Sequence, residues 1–279
     1  DGWKGMDKGN FVKLTEANTD GIQVYGGSVL GNRRWNPDLD NVVEVAEEND
    51  IDGIIALGGD DTLGVLAKLW DEYNLPSAGW PKTMDNDLSG TYFTLGYPSA
   101  VNVASKTVLN SAEIAWTHGR IAMTVVFGRY TDWMTAGSAA YGDADMVIPA
   151  EEETHIDEIY EKAKNIYFEN GEEIGNPYAT MVVAEGASIE GLGGHVKSDE
   201  MHTDEFGHPK LDPHILISSL SDAIRDMSKE DLGEQIKTAT MAPNYDVRNG
   251  RPLDIDRKFG YKCGKKCIEI LDENPGKMA

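Results

Sequence analysis

Apolar positions along this chain fall into two kinds of run. Short unbroken runs occupy Gly53 to Leu57 (GIIAL), Met123 to Phe127 (MTVVF) and Thr180 to Ala184 (TMVVA), and each leads into a turn: Gly58-Gly59, Gly128-Arg129 and Glu185-Gly186. A run that is apolar on both faces and closed by a glycine turn is what a buried parallel strand leaves in a sequence. Between these runs, apolar residues recur at helical spacing. The spacing predicts helices over Asp38–Asn49, Leu63–Tyr73, Ser99–Thr117, His155–Asn170, Pro213–Met227 and Arg257–Asp272. The alternation predicts an α/β fold with crossover helices over parallel sheets. The Gly- and His-rich segment Ile189–Lys210 reads as a loop or irregular hairpin. No internal repeat, heptad or low-complexity tract interrupts the pattern. No Pro/Gly/Ser-rich linker separates two units, so two domains would share strand crossings.

Composition narrows the function classes. The 279 residues suffice for one large or two modest domains, at roughly 100–200 residues each. A hydrophobic share of 40% argues against disorder. The net charge of −23 disfavours nucleic acid and acidic membrane surfaces, because both need a basic face. No apolar run approaches the ~20 residues of a membrane span, and no basic-then-apolar leader opens the chain. The chain begins at Asp1 rather than Met, which reads as a fragment. Cys263 and Cys267 stand at i, i+4 with no second pair to complete a metal set, so they read as reduced thiols of a cytoplasmic protein.

Three groups of polar residues gather next to the turns that close the strands, where open α/β sheets bind ligands. The first is Gly58-Gly59-Asp60-Asp61-Thr62. Paired glycines admit phosphate oxygens close to the backbone, and the following helix offers N–H donors. A carboxylate there reaches phosphate through Mg²⁺; the alternative is a plain Gly/Asp turn. The second is Pro81-Lys82-Thr83-Met84-Asp85-Asn86-Asp87. On an extended segment Asp85 and Asp87 would point the same way, one to take a proton and one to help hold a metal. Lys82 would supply a point charge for a phosphoryl group; the alternative is a solvated Asx turn. The third is cationic. Of eight arginines, Arg34, Arg120, Arg129 and Arg248 sit beside glycine turns or strand edges. Arginine suits bidentate phosphate recognition, although each one singly also suits surface ion pairing. The six histidines show no HExxH or HxxxH spacing, and no GxSxG, P-loop or GxGxxG motif occurs.

These blocks resemble the 6-phosphofructokinase family. The resemblance rests on GGSVLGNRR (26–34), ALGGDDT (56–62), PKTMDNDLSGTYFTLGY (81–97), FGRYTDW (127–133), GDADMVIPAEE (142–152), VAEGA (183–187), DEFGHPKL (204–211) and YDVRNGRPLDIDRKFG (245–260), in the family's order. It implies two Rossmann-like three-layer domains, residues 1–96 plus 247–279 for the phosphate donor and 97–246 for fructose 6-phosphate, with the active site in the cleft between them. It implies Asp85 as the base for the 1-hydroxyl of fructose 6-phosphate, supported by Thr83 and Asp87, with Asp60 binding Mg²⁺. Gly128 and Arg129 would meet the transferring phosphoryl and the sugar. Met84 and Phe127 would line the sugar, the latter where the family commonly has Met. Glu185 would bond sugar hydroxyls, and Tyr245 and Arg248 would hold its phosphate. Arg120 would reach a neighbouring subunit's substrate in a homodimer or homotetramer. Arg34, Gly59, Asp60, Asp61 and Thr62 would surround the donor.

Nucleotide-using members commonly have Gly where Asp61 and Lys82 stand. Asp61 puts bulk and negative charge where an ATP α-phosphate would lie, and Lys82 provides a cation for pyrophosphate. The resemblance therefore implies pyrophosphate as donor, with ATP as the alternative, followed by a non-catalytic chain of the same family. The family's Gly-rich first-strand segment and its last strand have no counterpart here. Asp132 replaces a usual Gly, with a strain cost if its φ is positive.

Overall fold

The computed structural model describes residues 1–192, 211–243 and 245–273. In chain order the elements are α1 (Trp3–Asp7), α2 (Glu16–Thr19), α3 (Leu39–Glu48), β1 (Ile54–Gly58), α4 (Asp60–Tyr73), β2 (Ser77–Pro81) and α5 (Tyr97–His118). There follow β3 (Ile121–Val126), α6 (Trp133–Gly142), β4 (Met146–Ile148), β5 (Thr154–His155), α7 (Ile156–Ile174), β6 (Ala179–Ala184) and β7 (Ile189–Glu190). The last are α8 (Pro213–Leu232), β8 (Thr238–Met241), α9 (Asp246–Asn249) and α10 (Asp254–Glu273). All the predicted helices form, most within three residues of their expected ends.

Among the described residues the strands pair in parallel throughout. β4-β6-β3-β8 make a four-stranded sheet, and β1 pairs with β2. Every residue of β3 and β6 is buried, as unbroken apolar runs require. Alternation sorts them between two layers. Ile121, Met123, Val125, Met181 and Val183 join α7 and α8 in one core, through Ile159, Tyr160, Leu216, Leu220 and Ile224. Val126 and Val182 face the other way, onto Ala100, Ala104 and Val108 of α5 and Met134 of α6. The β1–β2 pair has a third core: Ala56 packs with Val65, Leu66 and Leu69 of α4, Val42 of α3 and Trp3 of α1. On the α10 side, Phe259 stacks against Trp80 of β2 and against Phe93.

Two of the elements that escape the periodicity show why. β2 (SAGWP) carries a glycine and a proline, yet it aligns residue for residue with β1. α6 is rich in Ala, Gly, Ser and Thr, with no polar-apolar contrast to mark a face. Its small side chains let it lie close to α5: a Cβ on Gly142 would come 2.5 Å from Val108. β7 opens the predicted loop and pairs with β5; residues 193–210, with His195, His202, His208 and most of DEFGHPKL, lie outside the described residues. Cys263 and Cys267 are buried on α10 as free thiols. Asp132 has φ −102°, so the expected strain is absent. Its carboxylate instead accepts from the Ala150 and Glu151 amides at 2.7 and 3.1 Å, while Glu151 accepts from the Asp132 amide at 2.9 Å.

Leu220 is fully buried in the α7–α8 core. Leu220→Ala is expected to cost about 2–5 kcal/mol by urea denaturation, as large-to-small core changes do; a cost near zero would mean that α8 is not packed on this sheet.

Candidate active site

One wall of the site is built where β1 and β2 end together. Gly58 pairs with Pro81 in register, and the Lys82 amide donates to the Gly58 carbonyl at 2.9 Å. The turns Gly58–Thr62 and Lys82–Asp87 are thereby laid side by side. Gly58 has to be glycine: a Cβ there would fall 2.3 Å from that of Thr62. Asp60 and Asp61 occupy the first turn of α4, whose N-terminus favours negative charge.

The Lys82–Asp87 segment is not extended. Asn86 has φ +56°, in the left-handed region, so Asp85 and Asp87 meet around a turn rather than by strand alternation. Asparagine tolerates that conformation, and here its side chain has work to do: Asn86 Oδ1 accepts from the Thr94 amide at 2.8 Å. Thr94 Oγ1 donates to the Thr83 carbonyl at 2.5 Å, and the Leu95 amide donates to the Pro81 carbonyl. Thr83 Oγ1 donates to Asp85 Oδ2 at 3.0 Å and accepts from the Asp85 amide at 3.2 Å. The Asp85 carboxylate is thus oriented from behind. Asn86 and the buried Thr94 carry the turn, and Thr94 could not be picked out without knowing which distant residues the turn meets.

The second wall is made by the ends of β3 and β6. Glu185 and Gly186 donate from their amides to Val126 and Gly128, both at 2.9 Å. A Cβ on Gly186 would lie 2.1 Å from the Arg129 carbonyl, so only glycine lets the two turns touch. Gly128 has φ +158° and would place a Cβ 2.7 Å from the Thr131 carbonyl. Arg129 and Glu185 are held together as a result. Arg248 arrives on α9 and stacks over Phe127 with its guanidinium 4.4 Å from the ring centroid, and it lies 5.9 Å from the Tyr245 ring. Phe127 and Tyr245 meet edge to face at 6.4 Å. The phenylalanine that replaces a methionine therefore gives Arg248 an aromatic platform.

The charges of the two walls act on one another. Burial depresses the Lys82 pKa, and Arg248 depresses it further. Burial raises Asp87, with Asp85 and Asp60 adding to the rise. Burial raises Glu185 against the pull of Arg129 and Arg248, and Asp85 adds to the rise. Asp60 and Asp85 thus act on Asp87; Arg129, Arg248 and Asp85 act on Glu185; and Arg248 acts on Lys82. Carboxylates and cations brought this close can between them accept a proton and bind ions of either sign.

One expected residue stands elsewhere. Arg120 lies at the amino end of β3, with Nη1 donating to the Thr238 carbonyl at 3.3 Å. The six residues of β3 separate it from the site, about 20 Å at the usual rise per residue. Arg34 is exposed on the segment that precedes α3.

Residues 1–271 match the family described as Phosphofructokinase. A pyrophosphate–fructose 6-phosphate 1-phosphotransferase of Dictyoglomus thermophilum is 30% identical over 98% of this chain and 76% of its own length. An ATP-dependent 6-phosphofructokinase of Corynebacterium efficiens is also 30% identical, over 96% of this chain and 76% of its own. Among solved structures, phosphofructokinase of Pichia pastoris in the T-state superposes with TM-score 0.79 at 17% identity, over 99% of this chain and 29% of that one. Pyrophosphate-dependent phosphofructokinase of Marinobacter aquaeolei superposes with TM-score 0.71 at 21% identity, over 95% of this chain and 64% of that one. The match over residues 1–271 and the relatives at 30% identity agree with the fold: the chain belongs to the phosphofructokinase family.

Proposed function

We propose that this chain transfers a phosphoryl group from pyrophosphate to the 1-hydroxyl of fructose 6-phosphate, giving fructose 1,6-bisphosphate. The observation that carries the donor is the pair Lys82 and Asp61 at the mouth of the Gly58–Thr62 turn. Lys82 is a partly buried cation whose charge is disfavoured by burial and by Arg248. An inorganic phosphate anion relieves both penalties at once. Asp61 stands in the first turn of α4, and by the family resemblance its bulk and charge would meet a nucleotide's α-phosphate.

In this reading Arg248, stacked on Phe127, and Tyr245 hold the sugar phosphate, and Met84 lines the sugar. Glu185 accepts from sugar hydroxyls. Asp85, oriented by Thr83, takes the proton from the 1-hydroxyl as that oxygen attacks phosphorus and the bridging oxygen of the donor departs with the second phosphate. Lys82 and Arg129 neutralise the equatorial oxygens. Among the described residues no three His, Cys, Asp or Glu side chains form a metal cluster of their own. That donor set suits Mg²⁺, which commonly takes one or two carboxylates and completes its shell with phosphate oxygens and water. Asp60, with Asp87 beside it, would hold the ion, and its charge would offset that of the donor. Arg120 could serve only a neighbouring copy's substrate, so the reading includes a homodimer or homotetramer, in the cytoplasm. ATP as donor is the second reading, supported by the equal identity to the relative named for ATP.

Fructose 1,6-bisphosphate formation with either donor tests this directly. Turnover with pyrophosphate and none with ATP is expected; turnover with ATP alone would overturn the donor assignment. Asp61→Gly together with Lys82→Gly is expected to raise ATP use relative to pyrophosphate. Asp85→Asn is expected to lower kcat by about 10²–10⁴-fold, the range for loss of a general base, with an unchanged melting curve; a loss under tenfold would remove Asp85 from that role.

Glu185 gives a pH test. Its raised folded pKa means that the folded chain holds this proton more tightly than the unfolded chain does. The associated stability is full below the ordinary glutamate value of about 4.3 and is lost as pH rises through the folded value. Glu185→Gln is therefore expected to raise the urea midpoint at pH 8 and to change it little at pH 4. A lower midpoint at pH 8 would show that the Arg129 and Arg248 contacts outweigh burial.

A further inference from the structure

Asp256 is 97% buried, and the chemistry above does not use it. It sits in the first turns of α10, with a relative exposure of 3%. Its Oδ1 accepts from the Gly96 amide at 2.9 Å, and its Oδ2 accepts from the Ser99 amide at 2.9 Å and from Ser99 Oγ in a very short bond. Ser99 Oγ in turn accepts from the Leu253 amide at 2.9 Å. Buried carboxylates are costly unless each oxygen is satisfied, and here both are, by the first turn of α5 and the glycine before it.

The consequence lies in what these bonds join. Gly96 is two residues past Thr94, which holds the Thr83 carbonyl and the Asn86 side chain, and so the turn that carries Asp85. Asp256 and Leu253 are a few residues past Arg248 and Tyr245. Sequence separates Asp85 from Arg248 by more than half the chain. The Asp256–Ser99 junction ties the segments that follow both, at the starts of α5 and α10, through hydrogen bonds between residues 154 to 160 apart in sequence. We infer that Asp256 is a positioning residue that sets the distance between the base, Asp85, and the sugar-phosphate arm of Tyr245 and Arg248. It does so from beneath the site, through Ser99 and Gly96, without touching substrate. This rests on the reading of those residues given under Proposed function.

A carboxylate clamp between two halves of one substrate's site should act on the geometry of bound sugar and not on the donor. Asp256→Asn keeps the shape but replaces one acceptor with a donor that faces the Ser99 amide and hydroxyl. In the full chain, the expected result is a drop in kcat/KM for fructose 6-phosphate of roughly ten- to a hundredfold, the scale of a small misplacement of reacting groups. KM for the phosphate donor should stay within a factor of about two. Ser99→Ala, which leaves Asp256 its two amide bonds, should give a smaller loss of the same kind and guards against a variant that does not fold. Calorimetric affinity for fructose 6-phosphate, measured without donor, should weaken in the same order. A lowered melting temperature with wild-type kinetics per folded molecule in both variants would overturn the inference and make Asp256 purely structural. Equal losses for sugar and donor would also overturn it. A wild-type chain that neither binds fructose 6-phosphate nor phosphorylates it would overturn the functional reading instead, and this inference with it.

Discussion

The bond from the Lys82 amide to the Gly58 carbonyl is the constraint on which the chemistry of this chain depends. It extends the β1–β2 ladder by one step beyond its last pair and so sets two turns, from different crossovers, in contact. Each turn carries acidic residues, and acidic residues repel. Asp87 shows the effect: its proton is held more tightly because the group is buried and, beyond that, because Asp85 and Asp60 lie near it. Left to themselves, turns with this charge would splay apart. The ladder, the Thr94 bonds to the Thr83 carbonyl and Asn86 side chain, and the tight fit of Gly58 against Thr62 hold them in place. Carboxylates pressed together in this way cost the free protein stability, a cost that a bound cation would offset.

The opposite wall solves a complementary problem. Arg129, Arg248 and Lys82 are cations brought near one another, and Lys82 loses basicity first to burial and then to Arg248. Glu185 sits among them and offsets part of the repulsion, at the cost of its own burial. Stacking Arg248 on Phe127 holds a guanidinium by its face, so its N–H groups are not needed to hold it in place. The net charge of −23 makes such a local inversion of sign necessary for any anionic substrate.

How much of this was legible in the sequence follows from which interactions are local. β3 and β6 announce themselves because both faces are buried, β1 announces itself by its apolar run alone, since Leu57 is exposed, and the helices of strong amphipathic contrast do likewise. α6 and β2 do not, because a helix of small residues lying close to its neighbour, and a strand with Gly and Pro inside it, have meaning only beside the element they touch. The glycine turns, the acidic pairs and the arginines could be read as a phosphate site because strand ends are where α/β sheets bind ligands. Their geometry could not. Asn86 in a left-handed conformation turned an expected extended pair into a turn, and Asp132 proved to be a loop clamp where strain was anticipated. Arg120 could be recognised as a cation at a strand edge, but which end of the strand faced the site was decided by the sheet.

Asp256 marks the limit of reading by motif. Nothing in DIDRKFG distinguishes its second aspartate from a solvated residue in the first turn of a helix, and the net charge of the chain supplies many such residues. It becomes special only because α10 returns to the start of α5, some 160 residues earlier, and buries it there. A fold that divides one substrate's site between segments so far apart in sequence has to fix their separation somewhere. Apolar packing between α5 and α10 would fix it loosely, because side chains that fit a groove can slide along it. A buried carboxylate with three directed donors cannot slide without leaving a charge unpaired, and that penalty is what makes it a better ruler than any apolar contact at the same place.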